Sequence, residues 1–165
     1  MKKTELIARS LSSFILALLM FVLAGCSAGR AKQNEEYVSN VKQLVDNAVM
    51  ATRTLNEQEK SFDYSDEKLS KAYLSTLDTL AGLYDQILEL NATEDFRDLD
   101  KTLADESTAA LSDITQIKAL ASYASEKNDP TLYQKDNGRL MNDYKTHYEK
   151  IKELSSEIQT RWRNA

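Results

Sequence analysis

Few residues of this chain are of a type that could do bond-making chemistry, and their spacing is informative. Cys26 is the only cysteine and His147 the only histidine. A zinc site built from cysteine and histidine is therefore excluded. Metal sites in helical bundles need Glu-x-x-His on two helices, and here Tyr144 stands three residues before the single His147. A calcium loop with Gly138 of Asp136-Asn137-Gly138 at its sixth position would have Tyr133 first and Tyr144 twelfth, and neither is a carboxylate. No glycine-rich phosphate loop occurs. The expectation is a protein that is not an enzyme, with no catalytic residues, no metal site and no cofactor. His147 falls near the edge of an apolar stripe and reads as a packed, hydrogen-bonded structural histidine, with pH sensing as the sharper alternative. The acidic group Glu94, Asp95, Asp98, Asp100, Asp105 and Glu106 reads as a solvated helix face, with weak cation binding as its alternative.

That leaves the thiol of Cys26, whose surroundings are specific. Residues 1–13 are basic and hydroxyl-rich, and residues 14–24 form an unbroken apolar run of 11. A membrane-spanning helix needs about 20 such residues. A basic start, a short apolar middle and small residues at the end describe a secretory signal peptide. The run ends in Leu23-Ala24-Gly25-Cys26. This resembles the lipobox of bacterial lipoproteins. The resemblance implies diacylglyceryl transfer to the Cys26 sulfur, cleavage before it, and attachment to the extracytoplasmic face of the cell membrane or the outer membrane. Lipidation also accounts for a lone thiol in an exported chain, which would otherwise be an odd leftover. The organisation expected is a signal peptide over 1–25, a lipidated tether over 26–34 and a helical bundle over 35–165.

Composition agrees with a folded, exported module. The first 25 residues carry a net +2 and the whole chain −5, so residues 26–165 carry −7. An acidic domain argues against nucleic acid as partner and against holding anionic lipid by charge. With one cysteine there is no internal disulfide, so packing alone must stabilise the domain. The 42% apolar content can supply that core. Four glycines and one proline are too few for a β-rich or loop-rich fold.

Helical periodicity organises the rest. Over about 35–60, Tyr37, Val41, Leu44, Val45, Ala48, Thr52 and Leu55 fall on one face. Over about 66–91 the stripe is Leu69, Tyr73, Leu77, Leu80, Tyr84, Ile87 and Leu88, with Ser65 expected as cap and Tyr64 and Leu69 as a hydrophobic staple. Over about 94–127 it is Phe96, Leu99, Leu103, Ala110, Ile114, Ile117, Ala121 and Ala124, after a break at Asn91-Ala92-Thr93 in which Thr93 is the expected cap. Over about 130–163 it is Tyr133, Leu140, Tyr144, Ile151, Leu154, Ile158 and Trp162, started by Asp129-Pro130. Gly138 is the weak spot, and a loop over 128–137 with the helix beginning near 138 is the alternative. Tyr84–Leu90 parallels Tyr148–Leu154, a faint hint of a duplicated hairpin. The fold expected is all-α: an up-down-up-down antiparallel four-helix bundle, since short connections make neighbours antiparallel.

In such a bundle the 61–65 and 128–138 connections share the end far from Cys26. They carry Phe62, Tyr64, Leu132 and Tyr133, apolar residues where loops are normally polar. Loops on a rigid scaffold commonly carry recognition, so these four are candidate partner contacts; the plainer reading is that they seal the core. Eight tyrosines, mostly on inner faces, read as core packing with hydroxyls at the stripe edges, or as a Tyr-lined groove. The function expected is a membrane-anchored binding or structural module for another envelope protein or wall component. The alternative is a carrier of a small apolar ligand or lipid in a Tyr-lined cavity.

Overall fold

The computed structural model describes the side chains of residues 29–165. The residues read as signal peptide, and Cys26 itself, lie outside the described residues. The chain forms α1 (Lys2–Glu59), α2 (Glu67–Leu88), α3 (Arg97–Lys127) and α4 (Thr131–Arg163). Among the described residues α1 and α3 each pack on both α2 and α4, and neither diagonal pair meets along its length. This is the four-helix up-down-up-down bundle that the periodicity predicts. No helix among the described residues is long and apolar enough to cross a membrane.

The core is built from the expected stripes. All eight stripe residues of α3 are buried, as are Tyr37, Val41, Val45, Ala48, Thr52 and Leu55 of α1. Each fully buried aliphatic side chain, such as Leu77 or Ile114, contributes about 1.5–3 kcal/mol of hydrophobic stabilisation. Four apolar residues outside the expected stripes, Val38, Leu83, Met141 and Tyr148, are also buried. Leu69 goes the other way and is 38% exposed.

The helix ends depart from expectation for local reasons. Ser65 does not cap α2: its N–H and hydroxyl both donate to Asp63 Oδ1, at 2.9 and 2.6 Å. Asp66 takes the role, with extended backbone and Oδ1 accepting from the N–H groups of Lys68 and Leu69 at 2.8 and 3.1 Å. With the cap one residue later and Leu69 exposed, the Tyr64–Leu69 staple is not formed. α3 begins at Arg97 with no side-chain cap. Thr93 instead spends its hydroxyl on Asn34, and Phe96, 1% exposed, pins the turn by packing. Asn128 ends α3 in the left-handed region at φ 53°, and Asp129 Oδ1 accepts from Thr131 N–H at 3.0 Å.

α4 runs unbroken from Thr131 through Asp136-Asn137-Gly138, which matches the helix expected over about 130–163 and not the alternative in which the helix begins near 138. Beside Gly138, which costs about 1 kcal/mol in a helix, Asn137 is buried and its amide donates to Glu59 Oε1 at 3.1 Å, which ties this part of α4 to the end of α1. The bundle also begins before residue 35. Residues 29–34 belong to α1, and Asn34 is only 6% exposed.

Candidate functional site

The two ends of the bundle are closed by different chemistry. At one end residues 30–37 of α1 meet the 89–96 connection and the last turns of α4. Asp95 is the hub. Arg30 donates to it through Nε at 3.0 Å and Nη2 at 2.7 Å, a two-point fork. Asn34 Nδ2 donates to the same carboxylate at 2.9 Å, while Asn34 Oδ1 accepts from the Thr93 hydroxyl. Both polar atoms of this buried amide are therefore satisfied. Arg161 of α4 donates to the Asp95 carbonyl at 3.1 Å and grips Asp98 with both Nη groups at 2.6 and 2.9 Å.

Charge follows this geometry. The Asn34 amide, then the Arg30 guanidinium, hold Asp95 below the usual carboxylate range. Arg161 draws Asp98 down to about 2. Beneath them Tyr37 donates to Asp100 Oδ1 at 2.8 Å and packs on the Phe96 ring with centroids 5.6 Å apart. Burial pushes both partners up; the hydrogen bond works with burial at the Tyr37 phenol and against it at the Asp100 carboxyl. An open cleft of about 890 Å³ lies beside this cluster, walled by Arg30, Tyr37 and Asn40 on one side and Leu90, Thr93 and Arg97 on the other.

The acidic residues read as one solvated face are thus divided among tasks. Asp95 and Asp98 hold arginines, Asp100 holds Tyr37, Asp105 pairs with Lys101, and Glu106 faces His147. Sequence reasoning missed the first three roles because the partners lie 65, 63 and 63 residues away.

At the opposite end the seal is aromatic. The Phe62 ring lies 4.6 Å from Tyr73 and 4.8 Å from Tyr133, and the Tyr133 hydroxyl donates to that of Tyr73 at 3.1 Å. Of the four candidate contact residues, Phe62 and Tyr133 are packed against the core. Tyr64 is half-buried and Leu132 is 43% exposed. Leu132 shares this end with two other exposed apolar side chains, Leu69 and Tyr123.

Between the ends, tyrosine hydroxyls occupy the centre of the core and not its edges. Tyr144 bonds to Thr52 of α1 and lies 3.0 Å from the Tyr84 hydroxyl of α2, which ties three helices together. Burial raises both phenols, Tyr144 to about 12. His147, about a third exposed, places Nδ1 2.7 Å from Glu106 Oε2 and Nε2 4.0 Å from Asp113 Oδ2 across the α3–α4 seam. Among the described residues no group of three or more ionisable side chains is placed to hold a metal ion. No protein-family model, curated protein or solved structure matches this chain.

Proposed function

We propose that the chain is a bacterial envelope lipoprotein, anchored through a lipid on Cys26, whose bundle is a binding or structural module for another envelope component. The observation that carries this reading is the run from the basic N-terminus through the apolar residues 14–24 to Leu23-Ala24-Gly25-Cys26. The bundle supports the second half of the reading. Its interior tyrosines contact one another, and Tyr73, Tyr84 and Tyr144 are each fully buried. That arrangement favours a solid module over a carrier with a tyrosine-lined cavity.

The partner surface is the end bearing Leu69, Tyr123, Leu132 and Tyr64. Exposed apolar side chains on a rigid tip are favoured recognition anchors, and this end is the farther from Cys26 in the chain's topology. Phe62 and Tyr133, partly buried and packed against the core, support that surface from beneath.

Metabolic labelling with a clickable fatty acid tests the anchor. Wild type is expected to be labelled and Cys26→Ser unlabelled; equal labelling, or none in either, overturns the reading. Crosslinking in the native envelope tests the tip. Leu132→Ser is expected to weaken the crosslink without lowering the melting temperature, and an unchanged crosslink overturns it.

A further inference from the structure

We infer that residues 30–34, which the sequence reads as part of a tether, are a rigid mount clasped by Asp95, so that the domain stands end-on against a lipid surface with its far tip held at a fixed height. The inference rests on the proposed lipid at Cys26.

The chain length between anchor and clasp leaves little room to swing. Gly29 stands three positions after Cys26, at most about 11 Å of chain in any conformation. The next residue, Arg30, is already forked onto Asp95. One turn later Asn34 is 6% exposed with both amide atoms bonded. A leash of small and polar residues would leave such side chains in water. Here two of them are fixed to the 93–95 turn, and that turn is fixed in its turn to α4 through Arg161.

The individual contacts do not have equal weight. The Arg30 and Asp95 side chains are 47% and 45% exposed, so that ion pair alone is weak and screened. Asn34 is the strong member. Burying an amide without partners is costly, so the buried position is tenable only while Asp95 and Thr93 hold it. Releasing Asp95 therefore frees residues 30–34 together and not just one ion pair.

Geometry then sets the reach. α3 spans 31 residues, about 46 Å at 1.5 Å per residue. Its start lies at the clasp and its end, Lys127, at the far tip. A clasped domain carries Leu132 and Tyr123 about that distance from the headgroups. A leashed one lets them wander down to the surface.

Two measurements test this, one of the clasp and one of the posture. In the purified chain, hydrogen exchange of the amides of residues 33–38 is expected to be slow, and about tenfold faster in Asp95→Asn and Asn34→Ala, as for a local opening that loses a buried bond. Fast exchange in wild type, or no change in both variants, overturns the clasp whatever the anchor is. Circular dichroism of each variant checks that the bundle is intact; should Asn34→Ala unfold, Arg30→Gln removes only the outer fork and is expected to speed the same amides. For posture, the lipidated protein carrying Lys127→Cys is labelled with a fluorophore and placed in phosphatidylcholine vesicles containing acceptor-labelled lipid. Lipidation leaves the introduced thiol as the single free one. Wild type is expected to give a narrow distribution of weak transfer, and Asp95→Asn a broad distribution shifted to stronger transfer. Broad, strong transfer in wild type overturns the fixed height. A protein that does not associate with vesicles at all overturns the anchor reading, while the exchange result still judges the clasp.

Discussion

The Arg30 end and the Phe62 end do the same job, closing a bundle, with opposite materials. One uses carboxylates, guanidinium forks and a buried amide. The other uses three aromatic rings within 4.6–6.3 Å of one another. Ring packing is non-directional and indifferent to salt and acid. The forks depend on charge and on the alignment of few atoms. The aromatic end should therefore govern how stable the domain is, and the polar end how residues 30–34 are held.

The sharpest break of that comparison is at the aromatic end. Tyr73 is fully buried and packs against Phe62 and Tyr133. Tyr73→Ala is expected to cost about 3–5 kcal/mol, the range for removing a buried large aromatic side chain. Thermal or urea unfolding reads this directly. A loss as small as that of an exposed site would mean that the rings do not seal the core. The corresponding change at the polar end, Arg30→Ala, is expected to leave global unfolding almost unmoved.

Next in size is the hydroxyl of Tyr144, midway between the ends. Tyr144→Phe keeps the ring and removes the oxygen that meets Thr52 and Tyr84. Those two buried groups then lose a partner, and about 1–3 kcal/mol of stability should go with it. Alkaline titration offers a second view of the same core. Burial raises Tyr37, Tyr73, Tyr84, Tyr133 and Tyr144, the last two to about 12. Phenols whose folded values lie above their unfolded ones stabilise the fold below pH 10 and lose that contribution as pH rises. Much of the tyrosinate absorbance should therefore appear only in the high-pH unfolding transition.

The two ends were also unequally legible in the sequence. A helix that packs along its whole length declares itself by period, and in α3 every stripe residue from Phe96 to Ala124 is buried. At a helix start, periodicity loses its force. Leu69 has the right phase for the core but sits in the first turn of α2, where the neighbouring helices no longer cover it. The polar clasp was invisible for a different reason. Arg30, Asn34 and Asp95 have the same local polarity whether water or one another satisfies them, so residues 29–34 read as a tether. Only the fold brings together groups 65 and 61 residues apart. The tyrosines misled about position, since a phenol is normally expected with its hydroxyl near water. Here Tyr84 and Tyr144, and Tyr73 and Tyr133, bring their hydroxyls together inside the bundle.

Gly138 separates a helix from a loop with a smaller effect. It lies in the second turn of α4, exposed, and a Cβ added there would meet nothing within 4 Å. Gly138→Ala should stabilise the protein by about 1 kcal/mol if residues 131–138 are helical. A loop over 128–137 would give no such gain, and a null result would return that segment to irregular structure.

The smallest global effect is expected at the polar end, from acid. Asp95 and Asp98 have folded values below their unfolded ones, Asp98 at about 2. Groups shifted that way contribute stability above about pH 4, their unfolded range, and lose it as pH falls toward the folded value. Asp100 has the opposite shift, because its burial raises it. Its contribution grows as it takes up a proton, which partly offsets the loss from its two neighbours. The carboxylates of Asp95 and Asp98 are also 45% and 66% exposed, so screening trims what each supplies. A melting curve taken between pH 5 and 3 should therefore show little that is specific to this end. Local exchange should show it plainly. The amides of residues 33–38 are expected to speed up as pH falls from 4 toward 2, after correction for the intrinsic dependence of exchange on pH, while those around Tyr73 keep their protection until the whole bundle unfolds. High salt should mimic the effect in part, since at 1 M the screening length falls to about 3 Å and weakens the Arg30 and Arg161 forks without touching the rings. Acid release at both ends together would mean that the ends are not separate units, and the contrast between polar mount and aromatic seal would fail.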